Sequence, residues 1–174
     1  MRLLAVSGSL RSQSTNTRLI KAASQLAPEG TTIDVSACPG RLPLFTPDIE
    51  ASSVPEVNVW CGEVKAANGL ILSFPEYAGG YPGALKNAFD WLVATDAHVE
   101  KPFMILSTSD RSRLARDSFT KVLCTMSGIC VEEATVTVPL LGTDLSVEEI
   151  LQDEELRQPL ANAIQRFIAA ISAG

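Results

Sequence analysis

Short apolar runs alternate with helical patterns along this chain, and that alternation constrains its fold more than any other feature. Leu3-Leu4-Ala5-Val6 is a continuous apolar run, as a strand buried on both faces should be, and it ends at Gly8. Leu19, Ile20, Ala23 and Leu26 follow at helical spacing, and Pro28-Glu29-Gly30 stops them. Residues 32–36 alternate as a second strand, and Pro39, Pro43, Pro47 and Pro55 mark an irregular loop. A helix over 57–67 carries Val57, Trp60, Cys61 and Val64 on one stripe. Residues 69–74 are the third strand, ended by Pro75. Pro82 suits the first turn of the next helix, whose Leu85, Ala88, Phe89 and Leu92 form a core stripe. Residues 103–106 are the fourth strand, 113–127 a helix and 131–138 the fifth strand. Ser146 with Glu149 forms a capping box, and Pro159 predicts a short helix followed by a restart or kink near it.

Strands separated by crossovers of this length imply an α/β fold with a parallel sheet and helices on both faces. Two strand orders fit, the flavodoxin-like 2-1-3-4-5 and a Rossmann-type half. In either, ligands bind beyond the carboxyl ends of the strands, which singles out residues 7–15, 75–81 and 107–113. The 174 residues show no internal repeat or linker, so one domain over 1–174 is expected.

Composition narrows the function. A hydrophobic share of 46% against 20% charged belongs to a globular chain, and a net charge of −6 argues against nucleic acid or a membrane surface as partner. The N-terminal part runs the other way, with Arg2, Arg11, Arg18, Lys21 and Arg41 against only Glu29 and Asp34 up to Pro47. A local anion site is compatible with that. The apolar run at the N-terminus is too short for a signal peptide, and no segment reaches the ~20 apolar residues of a membrane span. Cys38, Cys61, Cys124 and Cys130 lack C-x-x-C spacing and, with His98 alone, form no recognisable metal site. They read as buried free thiols of a reducing compartment, so the cytoplasm is the expected location.

Residues 8–16, between a buried strand and a helix start, hold the hydroxyls of Ser9, Ser12, Ser14 and Thr15, the Asn16 amide and the Arg11 guanidinium. A helix N-terminus points free N–H groups and a positive dipole end into such a loop, which matches a terminal phosphate. Neither the spacing of a nucleoside-triphosphate loop nor that of a dinucleotide fingerprint is present. The bland reading is a serine-rich capping turn with a solvated arginine. Pro75-Glu76-Tyr77-Ala78-Gly79-Gly80-Tyr81 pairs tyrosines with glycines, as a flat ligand requires, or is a wide turn whose tyrosines cover the core. Trp91 falls off the core stripe of its helix; a subunit contact and a half-buried surface position are both open.

Taken together these residues resemble the NADPH-dependent FMN reductase family, a flavodoxin-like group that includes quinone, chromate and azo-dye reductases. Its motif G-S-x-R-x-x-S-x-N is matched by Gly8, Ser9, Arg11, Ser14 and Asn16. A second motif is matched by Pro75, Glu76, Tyr77, Pro82, Gly83, Leu85, Lys86, Asn87, Asp90 and Trp91. The resemblance implies a flavodoxin-like three-layer sandwich with a five-stranded parallel sheet of order 2-1-3-4-5. It also implies FMN as cofactor, NADPH or NADH as co-substrate, a small-molecule electron acceptor such as a quinone, and a homodimer or homotetramer. By the resemblance Ser9, Arg11, Ser14, Thr15 and Asn16 hold the FMN phosphate, and Pro75, Glu76, Tyr77, Ala78 and Gly79 border its ring. The helix from Pro82 to Trp91 would help form the dimer.

Two departures stand out. Ala78 replaces the family's usual asparagine, and the loop after the fourth strand has no glycine. In that loop Ser107 and Arg111 are the candidate cofactor contacts, with Arg111 or Arg113 facing the flavin edge or a nicotinamide nucleotide's 2′-phosphate, or both solvated. No protein side chain is assigned a catalytic role, because the flavin carries the bond chemistry. Competing readings are an FMN electron carrier without nicotinamide activity and a degenerate binding module without flavin.

Overall fold

The computed structural model describes residues 1–174. Strands β1 (Arg2–Ser7), β2 (Thr32–Ser36), β3 (Gly69–Ser73), β4 (Pro102–Ser107), β5 (Ile129–Cys130) and β6 (Val136–Thr137) form one parallel sheet. Its order is β2-β1-β3-β4-β5, with β6 also paired to β4. The flavodoxin-like order is therefore the one adopted. The crossovers are helices α1 (Thr15–Gln25), α2 (Pro55–Ala66), α3 (Gly83–Asp90) and α4 (Arg113–Thr125), and α5 (Val147–Gln152) and α6 (Glu154–Ala173) close the chain.

Because successive strand residues point to opposite faces, the sheet separates two cores. Leu4, Val6, Leu70, Leu72, Phe103 and Ile105 face α2, α3 and α4, where Trp60, Phe89 and Phe119 are buried. Leu3, Ala5, Ile71, Met104 and Leu106 face α1, α5 and α6, around Leu19, Ile20, Ile164 and Phe167. Burial on both faces explains why these strands read as unbroken apolar runs.

The expected single fifth strand over 131–138 is two short strands, so the sheet has six strands and not five. A 3₁₀ turn at Glu132–Ala134 separates β5 from β6. A continuous strand would turn one of the adjacent carboxylates of Glu132 and Glu133 inward; the turn exposes both and buries Ala134 completely. The Thr135 hydroxyl bridges the gap in the ladder by accepting from the Ile105 N–H at 3.2 Å. Near the C-terminus the break falls at Asp153, ahead of Pro159. Asp153 Oδ1 accepts from the N–H groups of Glu155 and Leu156, so a side-chain cap starts α6 and Pro159 lies within it.

Trp91 is neither a subunit contact nor half-exposed: it is 0% exposed. The chain's own proline-rich loop covers it. Its Nε1 donates to the Pro43 carbonyl at 2.9 Å, and its ring meets Phe45 edge-on at 5.2 Å. Pro82, expected in the first turn of α3, occupies its cap position one residue before the helix begins, and its carbonyl accepts from Leu85 and Lys86. Of the four free cysteines only Cys38 is buried; Cys124 is exposed in the last turn of α4, and Cys61 and Cys130 are half-buried. Burial, with Cys124, Glu132 and Glu133 adding to it, pushes the Cys130 thiol up to about 11, which keeps it protonated.

An aromatic cluster ties the core against α2, α3 and α4 to the ends of the strands. Phe119 packs against Phe74 at 5.2 Å, Tyr81 at 4.8 Å and Phe89 at 5.3 Å. Phe74 and Tyr81 bracket the loop after β3, so the cluster fixes that loop to α4. Phe119→Ala is expected to cost about 3–5 kcal/mol, read as a lower urea midpoint at unchanged slope.

His98 lies in the turns before β4, with its Nδ1 buried and without a partner. Burial pushes the imidazole below its ordinary value of 6.5, against the opposing pull of the Leu92 carbonyl and Asp96. The unfolded chain then takes up this proton first. Stability from this group is full above pH 6.5 and falls as the pH drops from there toward the folded value. In His98→Gln, urea midpoints measured across that window are expected to show a shallower decline.

Candidate functional site

The carboxyl ends of β1, β3 and β4 open into a cleft of about 410 Å³. Three loops line it: residues 8–14 after β1, 74–82 after β3 and 108–112 after β4. Close packing positions the first loop. Gly8 donates its N–H to the Ser73 carbonyl at 2.9 Å, and a Cβ on it would stand 2.7 Å from Phe74 Cβ and 3.1 Å from Leu85 Cδ2. Only glycine lets the chain pass there.

Beyond Gly8 the loop runs through residues 9–14 into α1. Ser14 caps that helix, its Oγ accepting from the Thr17 N–H at 3.3 Å. The backbone N–H groups of Ser12, Gln13, Thr15 and Asn16 donate to no protein acceptor. Asn16 is 6% exposed; its Oδ1 accepts from Ser73 Oγ at 3.0 Å, which leaves its amide N–H groups as the unengaged donors. Unmet donors at the positive end of a helix dipole are a receptor for a multiply charged oxyanion. Arg11 lines the same cleft and forms no ion pair.

The second loop is shaped by its backbone. Tyr77 and Gly80 exchange both N–H···O bonds, at 2.8 and 2.9 Å, around Ala78 and Gly79 with φ of 50° and 77°. Positive φ at both central residues defines a type I′ turn, which favours asparagine or glycine. Ala78 thus holds a left-handed position that costs an alanine about 1–2 kcal/mol. The turn presents Tyr77, 54% exposed, at the cleft.

Glu76 joins the second loop to the third. Its Oε2 accepts from the Ala115 N–H at 2.9 Å and so caps α4 from outside the helix. In the third loop Ser109 Oγ accepts from the Arg111 N–H at 3.1 Å, turning Arg111 to line the cleft. Arg113 does not reach it; exposed on α4, it pairs with Asp117 at 3.5 Å. The cleft therefore carries two unpaired cations, Arg11 and Arg111, and one carboxylate already held by a backbone donor. It contains no histidine and no nucleophile beside a base, and no group of three or more His, Cys, Asp or Glu is placed to hold a metal.

The structure brings together Ser9, Arg11, Ser14, Thr15, Asn16, Pro75, Glu76, Tyr77 and Arg111. Ala78 and Gly79 stand behind the lining as turn residues, and Ser107 is 3% exposed at the end of β4, off the lining. Thr108, Ser109 and Ser112 belong to the site and were missed, although they lie in the loop that the strand-end rule singles out. Leu141 was missed for another reason: it comes from the segment after β6, whose path the sequence pattern did not reveal. The N–H groups of Leu140 and Leu141 both donate to the Thr108 carbonyl, and Arg18 Nη1 ties that segment to α1 through the Leu145 carbonyl.

The order of the strands and the anion-receptive loop after β1 define a flavodoxin-like α/β protein. The model of the NADPH-dependent FMN reductase family matches residues 1–141, and the chain belongs to that family. Among relatives, it is 37% identical over 92 residues to NAD(P)H-dependent FMN reductase PA1204 of Pseudomonas aeruginosa, which covers 52% of this chain and 49% of that one. A quinone reductase of Pseudomonas putida is 38% identical over 86 residues, covering 49% and 46%. The chain spans about half the length of the curated relatives it matches. Among solved structures, the FerB flavoenzyme NAD(P)H:(acceptor) oxidoreductase of Paracoccus denitrificans superposes with a TM-score of 0.86 at 23% identity, over 99% of this chain and 97% of that one.

Glu76→Ala is expected to cost about 1 kcal/mol by uncapping α4, while Glu76→Gln, which keeps an acceptor oxygen, costs less. Thermal unfolding of the two variants side by side checks this. Equal losses would mean that the Ala115 bond adds nothing.

Proposed function

We propose that this chain is an FMN-dependent NAD(P)H oxidoreductase that passes electrons to a quinone or similar small acceptor. The observation that carries the reading is the set of unclaimed N–H donors at the start of α1, with Asn16 and Arg11 beside them. The donor chemistry fits the dianionic phosphate of FMN: backbone N–H groups, the Ser9 and Thr15 hydroxyls, one amide and one guanidinium converge on one loop. Family membership and the quinone reductases among the relatives support the same reading.

FMN, when bound, supplies the hydride and electron chemistry between nicotinamide and acceptor. The protein's part is to bind and orient. Ser9, Arg11, Ser14, Thr15 and Asn16 would hold the phosphate, with Ser14 acting through the helix it caps. Pro75, Glu76 and Tyr77 would border the ring, and Glu76 keeps that border in register with the third loop. Ala78 and Gly79 act by shaping the turn that presents Tyr77. Arg111 would place positive charge beside the ring, and Ser107 anchors the strand end from which that loop departs. Tyr77 and Leu141, at 54% and 59% exposure, give the cleft mouth apolar faces for a flat nicotinamide or quinone to occupy in turn. The glycine-free third loop, which favours a flavin-free module, leaves the cleft open.

One domain over 1–174 would suffice for this activity. Assembly as a homodimer or homotetramer is supported by the large exposed apolar residues Leu44, Ile49, Val59 and Val93. Cytoplasmic residence is supported by the four unbridged cysteines.

Purified protein is expected to absorb near about 450 nm, to quench FMN fluorescence on titration and to consume NADPH steadily under air. Arg11→Ala is expected to weaken FMN about tenfold while leaving riboflavin, which lacks the phosphate, unchanged. Binding without NADPH consumption would make the chain an electron carrier. A colourless protein that does not quench FMN sinks the flavin reading.

A further inference from the structure

A second cavity lies on the other side of residues 8–14, between that loop and the carboxyl end of β2. Its volume is about 480 Å³, and Ser9 and Arg11 line both it and the cleft. Apolar side chains form part of its wall; Ser7, Ser12, Thr17 and Ser36 add hydroxyls, the last donating to the Glu63 carboxylate. Leu10 is 63% exposed and Val35 39%, and both line the cavity with Pro39. Leu10 rests on the backbone of Gly40, where a Cβ would come within 2.9 Å of its Cδ2. Bulky apolar side chains left exposed around a concave surface suit a flat aromatic ring.

The rim is cationic. Lys21 and Arg11 line the cavity, and neither makes an ion pair or a side-chain hydrogen bond. Lys21 follows Thr17 by one helical turn of α1, so both present to the cavity from the same helix face. Arg18, on another face, is occupied with Asp144 and the Leu145 carbonyl. In a chain of net charge −6, two unpaired cations at the edge of a partly apolar cavity call for an anionic ligand with an aromatic ring.

We infer that this cavity receives the adenosine 2′-phosphate end of NADPH, with the purine against Leu10, Val35 and Pro39 and the 2′-phosphate on Lys21 and Arg11. The inference rests on the reductase reading above and adds the nucleotide's second site and its selectivity. With FMN in the cleft of about 410 Å³ and the nicotinamide at its mouth, the rest of the dinucleotide extends past the lining residues. The adenosine half must then lie outside the cleft, and this cavity adjoins it. Arg11, shared by the two, counters the repulsion between the phosphates of the two nucleotides. NADH, with a bare 2′-hydroxyl, leaves Lys21 without a charged partner, so the site selects NADPH.

The test uses FMN-saturated protein, titrated calorimetrically with adenosine 2′,5′-bisphosphate and separately with adenosine 5′-monophosphate, which differs only in lacking the 2′-phosphate. The 2′-phosphate is expected to tighten binding about tenfold. Lys21→Ala should remove that preference and raise the KM for NADPH about tenfold relative to that for NADH, and Leu10→Asp should weaken both nucleotides. Equal binding of the two nucleotides would mean a general adenine-nucleotide pocket and would overturn the inference. So would an unchanged KM ratio in Lys21→Ala, or a loss of FMN affinity in that variant, which would place Lys21 in the flavin site. Protein that takes up FMN but neither adenine nucleotide defeats this inference alone; protein that takes up no FMN defeats the reductase reading first.

Discussion

The approach of Gly8 to Phe74 and Leu85 is the constraint on which the rest of this structure depends. β1 is buried between two layers and pairs on both sides, so its end cannot move aside to make room for a side chain. The chain passes through a gap that admits only glycine and reaches α1 after residues 9–14. None of those residues offers an acceptor to the first N–H groups of α1, except Ser14, whose hydroxyl and carbonyl take those of Thr17 and Arg18. An anion-receptive loop thus follows from packing in the core beneath it.

The other two loops are held by different means, and both lead back to α4. Phe119, inside α4, carries the aromatic contacts that fix Phe74 and Tyr81. Glu76 reaches from between those two residues to the N-terminus of the same helix. A carboxylate there satisfies a free N–H and meets the helix dipole favourably. It also holds the carboxylate that shares the cleft with Arg11 and Arg111 in a fixed place. One helix therefore anchors the second loop through both its core and its N-terminus.

Some features were legible in the residues because local chemistry decides them. The apolar runs of β1, β3 and β4, the Ser146–Glu149 capping box and the serine-rich loop before α1 all appear where periodicity and turn chemistry place them. Others were decided by competition between near neighbours in space. The fifth strand breaks because Glu132 and Glu133 cannot both face water in a strand covered on two sides, and Thr135 is at hand to patch the ladder. The cover over Trp91 comes from Pro43 and Phe45, more than forty residues away and in a loop whose path no local rule predicts.

The sequence alone determined the parallel sheet, the positions of the three loops at its carboxyl edge and the donor-rich character of the first. Each rests on interactions within a few residues or on a periodicity of burial, which local composition encodes. Only the tertiary structure decided that Arg111 faces the cleft while Arg113 faces solvent, that Ala78 serves a turn, and that Leu141 completes the mouth. Those outcomes depend on which of several sterically allowed directions a side chain takes, and partners distant in the chain decide two of them: the Ala115 N–H for Glu76 and the Thr108 carbonyl for Leu141; Arg113 is drawn away by Asp117, one turn along its own helix.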